Sequence, residues 1–208
     1  MSLNLSSHRV LFKKRFMKPY IKWTLLLVVV LFGLSSFYMR KIENPAYTVE
    51  KELSRNMEIR LYQNMVVAKT KLPGASFDDY GSQGFRNIAS YIFGNNANNQ
   101  KIAMTSPVIM EQGEEACMYF VMPKEYDKKE LPKPNSSRVE ITEMNPKKLA
   151  VVRFGGWAND DKIAKHRESL KQTLQQQGIK TVGPYLYMGY NAPWDILFRR
   201  NEVAVEVE

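Results

Sequence analysis

Residues 57–74 read MEIRLYQNMVVAKTKLPG, and residues 139–155 read VEITEMNPKKLAVVRFG. Met57-Glu58-Ile59 is echoed by Val139-Glu140-Ile141, and Met65-Val66-Val67-Ala68 by Leu149-Ala150-Val151-Val152. β-branched residues and a glycine stop mark both stretches as strands closed by a turn. A helical pattern follows each, Phe77 to Phe93 before Gly94 and Asp160 to Gln177 before Gly178, since glycine is a common left-handed helix stop. Working outward, the first half gains strands near Tyr47–Lys51, Met57–Lys71, Met104–Met110 and Cys117–Met122. The second gains strands near Val139–Met144, Leu149–Phe154, Tyr185–Tyr190 and Glu202–Val207. Strand, strand, helix, strand, strand is thus expected twice, an α+β fold whose units join into a distorted, barrel-like sheet with two helices. Residues 123–137, rich in Lys, Glu and Pro, are expected to form an exposed connector between the halves.

The 208-residue chain carries a net charge of +9, but the charge is unevenly placed. Residues 1–41 hold eight Lys and Arg and no acid, leaving 22 basic and 21 acidic residues in the other 167. A nucleic-acid-binding domain needs a basic face of its own, so this distribution argues against nucleic acid as partner. It marks topology instead. Trp23 to Met39 is an uncharged run, WTLLLVVVLFGLSSFYM, about 25 Å long as a helix, with Tyr20, Trp23 and Tyr38 near its ends. We expect a basic cytoplasmic tail at 1–22, a single-pass signal anchor at 23–39 and an exported domain at 40–208 on the periplasmic side of the inner membrane. A cleavable signal peptide is the competing reading, with Gly33-Leu34-Ser35 as a poor cleavage site.

Cys117 is the only cysteine, which excludes an intramolecular disulfide and multi-cysteine metal centres. Within CMYFVM it reads as a buried, inert thiol.

Further motifs follow in order: Glu43-Asn44-Pro45-Ala46-Tyr47, Ile59-Arg60-Leu61-Tyr62, Tyr91-Ile92-Phe93-Gly94-Asn95-Asn96, and Lys101-Ile102-Ala103-Met104-Thr105-Ser106-Pro107-Val108. Arg153-Phe154-Gly155-Gly156, Gly189-Tyr190-Asn191-Ala192-Pro193-Trp194 and Arg199-Arg200-Asn201-Glu202-Val203 complete the set. From about Glu43 to the C-terminus the chain resembles the SOUL family of haem-binding proteins. The resemblance implies a duplicated α+β barrel, similar to effector-binding domains of the gyrase-inhibitor type. It also implies non-covalent haem or other tetrapyrrole binding in an apolar cleft beside a helix.

Such a site needs apolar walls, cations for the propionates and often an axial ligand. Phe85, Ile88, Ala89 and Ile92 form one helical stripe, which the usual amphipathic logic assigns to the core at Ile88 and Ile92. The resemblance assigns Phe85 and Ala89 to the cleft, with Ile92 and Met104 as further candidate contacts. Where relatives carry basic residues this chain has Ser82 and Ser90, so Arg86 and Lys101 are the substitutes. His8 precedes the apolar segment, and His166 is expected to be a partly buried, hydrogen-bonded side chain rather than a metal ligand. Met104, Met110, Met118, Met122 and Met188 are the remaining possible ligands, more simply read as core filler. No metal ligand is therefore assigned.

The expected function is a non-catalytic haem or porphyrin carrier or scavenger attached to a membrane. A small-molecule effector-binding module and a weak hydrolase using Glu202 or Glu58 are the alternatives.

Overall fold

The computed structural model describes residues 42–192, 195 and 198–208, together with Tyr20, Ile21, Trp23, Thr24, Leu26, Leu27 and Val30. The chain divides into two units, Met1–Lys41 and Ile42–Glu208. In the first, the seven described residues are helical and exposed. Among the described residues no helix is long and apolar enough to cross a membrane. The 1–22 tail and the 23–39 anchor fall largely outside the described residues.

The second unit contains β1 (Tyr47–Ser54), β2 (Met57–Tyr62), β3 (Met65–Lys71), α1 (Phe77–Ile92), β4 (Val108–Gln112) and β5 (Cys117–Val121). After a connector come β6 (Glu140–Met144), β7 (Lys147–Phe154), α2 (Asp160–Gln176), β8 (Thr181–Gly189) and β9 (Asn201–Val207). All nine strands form one antiparallel sheet in the order β1-β2-β7-β9-β8-β4-β5-β3-β6. The sheet is a curled half-barrel, with β1 and β6 as its edges.

With β1 set aside, exchanging β2 with β6, β3 with β7, β4 with β8 and β5 with β9 turns that order into its own reverse. The duplication is therefore real in topology, and both sequence echoes pair the correct strands. One expectation needs correction: Met57–Lys71 is not a single strand. It breaks at Gln63-Asn64 into β2 and β3, so β1 is an addition to the first repeat rather than a member of it. The first repeat also starts its third strand later than expected. Met104 to Pro107 lies in a loop, held by Thr105 Oγ1 donating to Val121 O (2.6 Å) and Ser106 Oγ donating to Asn44 Oδ1 (2.9 Å). Together with the Glu43–Thr105 bridge, these contacts join the motifs at 43–47 and 101–108 in space.

Alternation of period two sorts the strands onto two apolar layers. Ala68, Met110, Met118, Phe120, Ala150, Val152, Tyr187, Val203 and Val205 pack toward the helices. Val67, Ile109, Cys117, Tyr119, Val121, Leu149, Val151, Leu186, Met188 and Ala204 form a second cluster on the other face. Cys117 is a free, buried thiol there.

Helix α1 is capped at its start by Ser76, whose side chain accepts from the Asp79 amide, and ends before Gly94 (φ 113°). Its buried stripe includes Ile88, Ala89, Tyr91 and Ile92. Helix α2 begins at Asn159, which accepts from the Lys162 amide, and ends before Gly178 (φ 67°). It buries Ile163, Leu170 and Leu174. Each such side chain contributes about 1.5–3 kcal/mol by leaving water. The connector between the halves is less exposed than its composition suggests, because Leu131 joins the core and Pro132 O accepts from the Tyr91 hydroxyl (3.0 Å).

Candidate binding cleft and a buried arginine–glutamate network

Beside α1 lies an open cleft of about 500 Å3. Its position follows from glycine. An added Cβ at Gly84 would sit 2.7 Å from Leu72 Cδ2 and 3.0 Å from Met118 Sδ, so α1 rides close to β5 there. Gly81, one turn earlier, lines the cleft with no side chain to fill it. Phe77, Phe85, Val108, Met110, Met118 and Tyr187 supply apolar walls. Phe77 meets Tyr187 edge-on at 4.8 Å between ring centroids, and Phe85 packs on Phe120 at 5.2 Å. The Tyr187 hydroxyl donates to Asn201 Oδ1 (2.8 Å), and Asn201 Nδ2 donates to Gly156 O (2.8 Å), so wall and rim are tied together. Burial pushes the Tyr187 phenol up to about 12, which keeps it neutral.

The rim carries the cations. Arg86 is exposed on α1 and lines the cleft. Arg199 lies 4.1 Å above the Trp157 ring and donates through Nη1 to the carbonyls of Ala192 (3.1 Å) and Asp195 (2.6 Å). Its Nε is buried without a partner among the described residues. Trp157 is itself 56% exposed, a flat apolar surface at the mouth.

Of the residues expected at this site, the structure brings Phe85 and Arg86 together. Ala89 and Ile92 are buried in the core, while Lys101 and Met104 are exposed; none of these four lines the cleft. The stripe at Ile88 and Ile92 is core, as amphipathic logic gave it. His166 is half-buried and stacks on Phe154 at 4.2 Å with 12° between the rings. Burial, then the charges of Lys162 and Lys165, hold its pKa below the ordinary value. Among the described residues this stack is its contact, and the hydrogen bond expected of it is not found there. Among the described residues no group of three or more His, Cys, Asp or Glu is gathered as a metal site. Trp157, Tyr187 and Arg199 also line the cleft; they reach it from elements far from α1 in sequence, which the pattern of α1 does not reveal.

A second constellation assembles from the motifs at 59–62, 189–194 and 199–203. Glu202 is fully buried. Its Oε2 accepts from Arg60 Nη1 (2.7 Å) and the Tyr190 hydroxyl (2.8 Å), and its Oε1 from Arg60 Nη2 (3.1 Å) and Arg200 Nε (2.9 Å). Arg60 also donates to the Tyr62 hydroxyl (2.9 Å) and through Nε to Glu58, and stacks 4.4 Å from the Tyr47 ring. Arg200 stacks 3.9 Å from the Tyr190 ring. Burial alone would raise the Glu202 pKa, but the Arg60 hydrogen bonds and the two guanidinium charges outweigh it and hold it low. Burial and the adjacent carboxylate raise Tyr190. Both carboxylate oxygens are thus already occupied by donors.

The pseudo-symmetric place holds the same pair inverted. Ile109 faces Tyr119 across β4–β5 as Met188 faces Glu202 across β8–β9. Two residues on from Ile109 and Met188, Glu111 accepts from Tyr119, whereas Tyr190 donates to Glu202.

Comparison with known proteins agrees with this architecture. The sequence model of the SOUL heme-binding protein family matches residues 42–206, and the chain belongs to that family. It is 27% identical over 176 residues to Heme-binding protein 2 of Homo sapiens, covering 78% of this chain and 84% of that protein. It is 25% identical over 154 residues to Heme-binding protein 1 of Xenopus laevis, covering 70% and 80%. Among solved structures it resembles the EcmrR C-terminal domain, with a TM-score of 0.57 at 11% identity, covering 78% of this chain and 98% of that one. A hydrolase from Listeria innocua superposes with a TM-score of 0.55 at 10% identity, covering 74% and 93%. At those identities the likeness is one of fold.

Proposed function

We propose that the chain is a membrane-anchored, non-catalytic haem or tetrapyrrole binder, a carrier or scavenger whose 42–208 domain lies outside a bacterial cytoplasmic membrane. The observation that carries the reading is the cleft beside α1, with apolar walls, the exposed Trp157 face and rim cations Arg86 and Arg199, in a member of the SOUL heme-binding protein family. The volume falls within the 300–1,000 Å3 range of small-molecule sites. The residues fit the group. The aromatic and thioether walls suit a porphyrin face, and the guanidinium groups suit propionates. Bound haem would supply an iron centre; the side chains here supply stacking, desolvation and charge. Met110 and Met118 are the sulfur atoms at the walls, and no histidine is among the lining residues. The uncharged 23–39 run and the cations before it support the anchor and its orientation.

The test is a hemin titration of the full chain in non-ionic detergent, against a detergent blank. A saturable Soret shift at micromolar protein is expected. Its absence sinks the reading. The mass of the mature N-terminus distinguishes a retained anchor from a cleaved signal.

A further inference from the structure

A second basin, of about 430 Å3, opens at the β1–β2 turn and shares no lining residue with the cleft. Arg55, Arg60, Arg153, Arg200, Tyr47 and Glu52 are among its walls. The charge in it divides into committed and uncommitted parts. Arg60, only 3% exposed, spends its nitrogens on Glu202, Tyr62 and Glu58. Arg200 directs Nε and Nη2 to Glu202. Two buried or half-buried arginines are therefore matched by Glu202 and Glu58. Arg55 and Arg153 are left, and their side chains make no hydrogen bond or ion pair among the described residues. Against them stands Glu52, directly opposite Glu58 in the β1–β2 ladder. Arg55 is carried on a turn fixed to β7, since the Arg153 amide donates to Asn56 O (2.9 Å) and Asn56 Nδ2 donates back to Arg153 O (3.1 Å). Arg153 faces Glu202 across β7–β9, which sets it beside the network.

We infer that this basin binds a small organic anion through a carboxylate or phosphate group, held by the Arg55 and Arg153 forks with the Arg60–Glu202 network as a rigid floor. Planar guanidinium forks recognise both oxyanions in a bidentate manner. The basin is larger than an inorganic ion requires, and the Tyr47 ring offers an apolar wall for the body of the ligand. The neutralised floor explains why the site takes an anion: Glu202 has no unmatched charge to offer a cation.

The test is isothermal titration of the full chain in non-ionic detergent at constant ionic strength, with inorganic phosphate, phenyl phosphate and succinate as probes. Phenyl phosphate or succinate is expected to saturate with a Kd of about 1 mM or tighter. Phosphate ahead of succinate assigns the phosphate arm, and the reverse order the carboxylate arm. Arg153→Gln combined with Arg55→Gln should weaken binding by roughly tenfold or more, the loss of a charge-assisted hydrogen bond or two. Arg86→Gln, in the other cleft, should leave it unchanged. Should the double variant unfold, Arg55→Gln alone at the exposed turn decides the matter. Failure of all three probes to saturate, or equal binding in the arginine variants, overturns the inference whatever the hemin titration shows.

Discussion

Asp78 and Asp160 cap one another's helices. Asp160 Oδ1 accepts from the Phe77 amide at the start of α1 (2.7 Å), and the Asp160 amide donates to Asp78 Oδ2 at the start of α2 (3.1 Å). Ser76 Oγ adds a 2.7 Å bond to Asp160 Oδ2. Two positive helix ends thus meet around two carboxylates, which is the favourable sign for a helix N-terminus.

Asp160→Ala should therefore loosen the start of α1, whose Phe77 amide and Ser76 hydroxyl it holds, while the backbone amide at 160 still donates to Asp78. A cost of about 1–2 kcal/mol is expected, the upper part of the range for a lost cap. Urea denaturation of the variant, with Asp78→Ala and the double variant, measures it. Non-additive losses are the signature of the reciprocal contact.

Glu202→Gln should be far more damaging. It leaves Arg60 and Arg200 without their shared counter-charge, and breaking a buried pair costs about 3–5 kcal/mol. Lys147→Ala, which removes a half-buried partner of Glu206 near the surface, should cost at most about 1 kcal/mol. The contrast in urea midpoints checks both.

The same network sets the pH response. Because the Glu202 pKa is held below its ordinary 4.5 in the fold, its stabilisation is present above 4.5 and is lost as pH falls through the lowered value. The tyrosines act at the other end. Tyr190 in the network, and Tyr187 in the cleft wall outside it, are raised above 10, so their contribution is complete below 10 and is lost as pH rises through the raised values. Melting temperature against pH should fall at both limits. Any Glu202→Gln protein that still folds should show a shallower acid limb.

Hemin binding should separate the three basic or aromatic positions. Phe85→Ala and Arg199→Gln should weaken the Soret titration by roughly tenfold, the scale of one lost charge-assisted bond or aromatic contact. His166→Ala should leave the band unchanged, since the imidazole lies against Phe154 outside the cleft lining, and should cost only about 1 kcal/mol of stability.

Topology was legible because hydrophobic periodicity is local. Val66, Val67 and Ala68 announce β3 without reference to anything else, and their echo at 150–152 announces the repeat. The break at Gln63-Asn64 was harder to see, since apolar runs flank it on both sides and its one signal is two adjacent polar residues, which a continuous strand would point to opposite faces. The Glu202 network was not legible, because Arg60 and Glu202 are 142 positions apart and pair only through the β2–β7–β9 order. One signal did exist: Glu202 directly precedes the apolar run Val203-Ala204-Val205 in a strand, where an acid that is buried needs a partner. Of the candidate cleft, Phe85 and Arg86 on α1 were named from the sequence. Trp157 and Arg199 approach from loops, whose positions no periodicity fixes.

The palindromic strand order has a further consequence. Each structural position of the repeat exists twice in the chain, and the two copies carry different side chains on the same ladder arrangement. The inverted Tyr–Glu pairs are an instance. One acid, Glu202, is enclosed by arginines, while Glu111 in the inverted pair accepts from the Tyr119 phenol. A duplicated scaffold of this kind diversifies its two ends separately without having to invent a second fold.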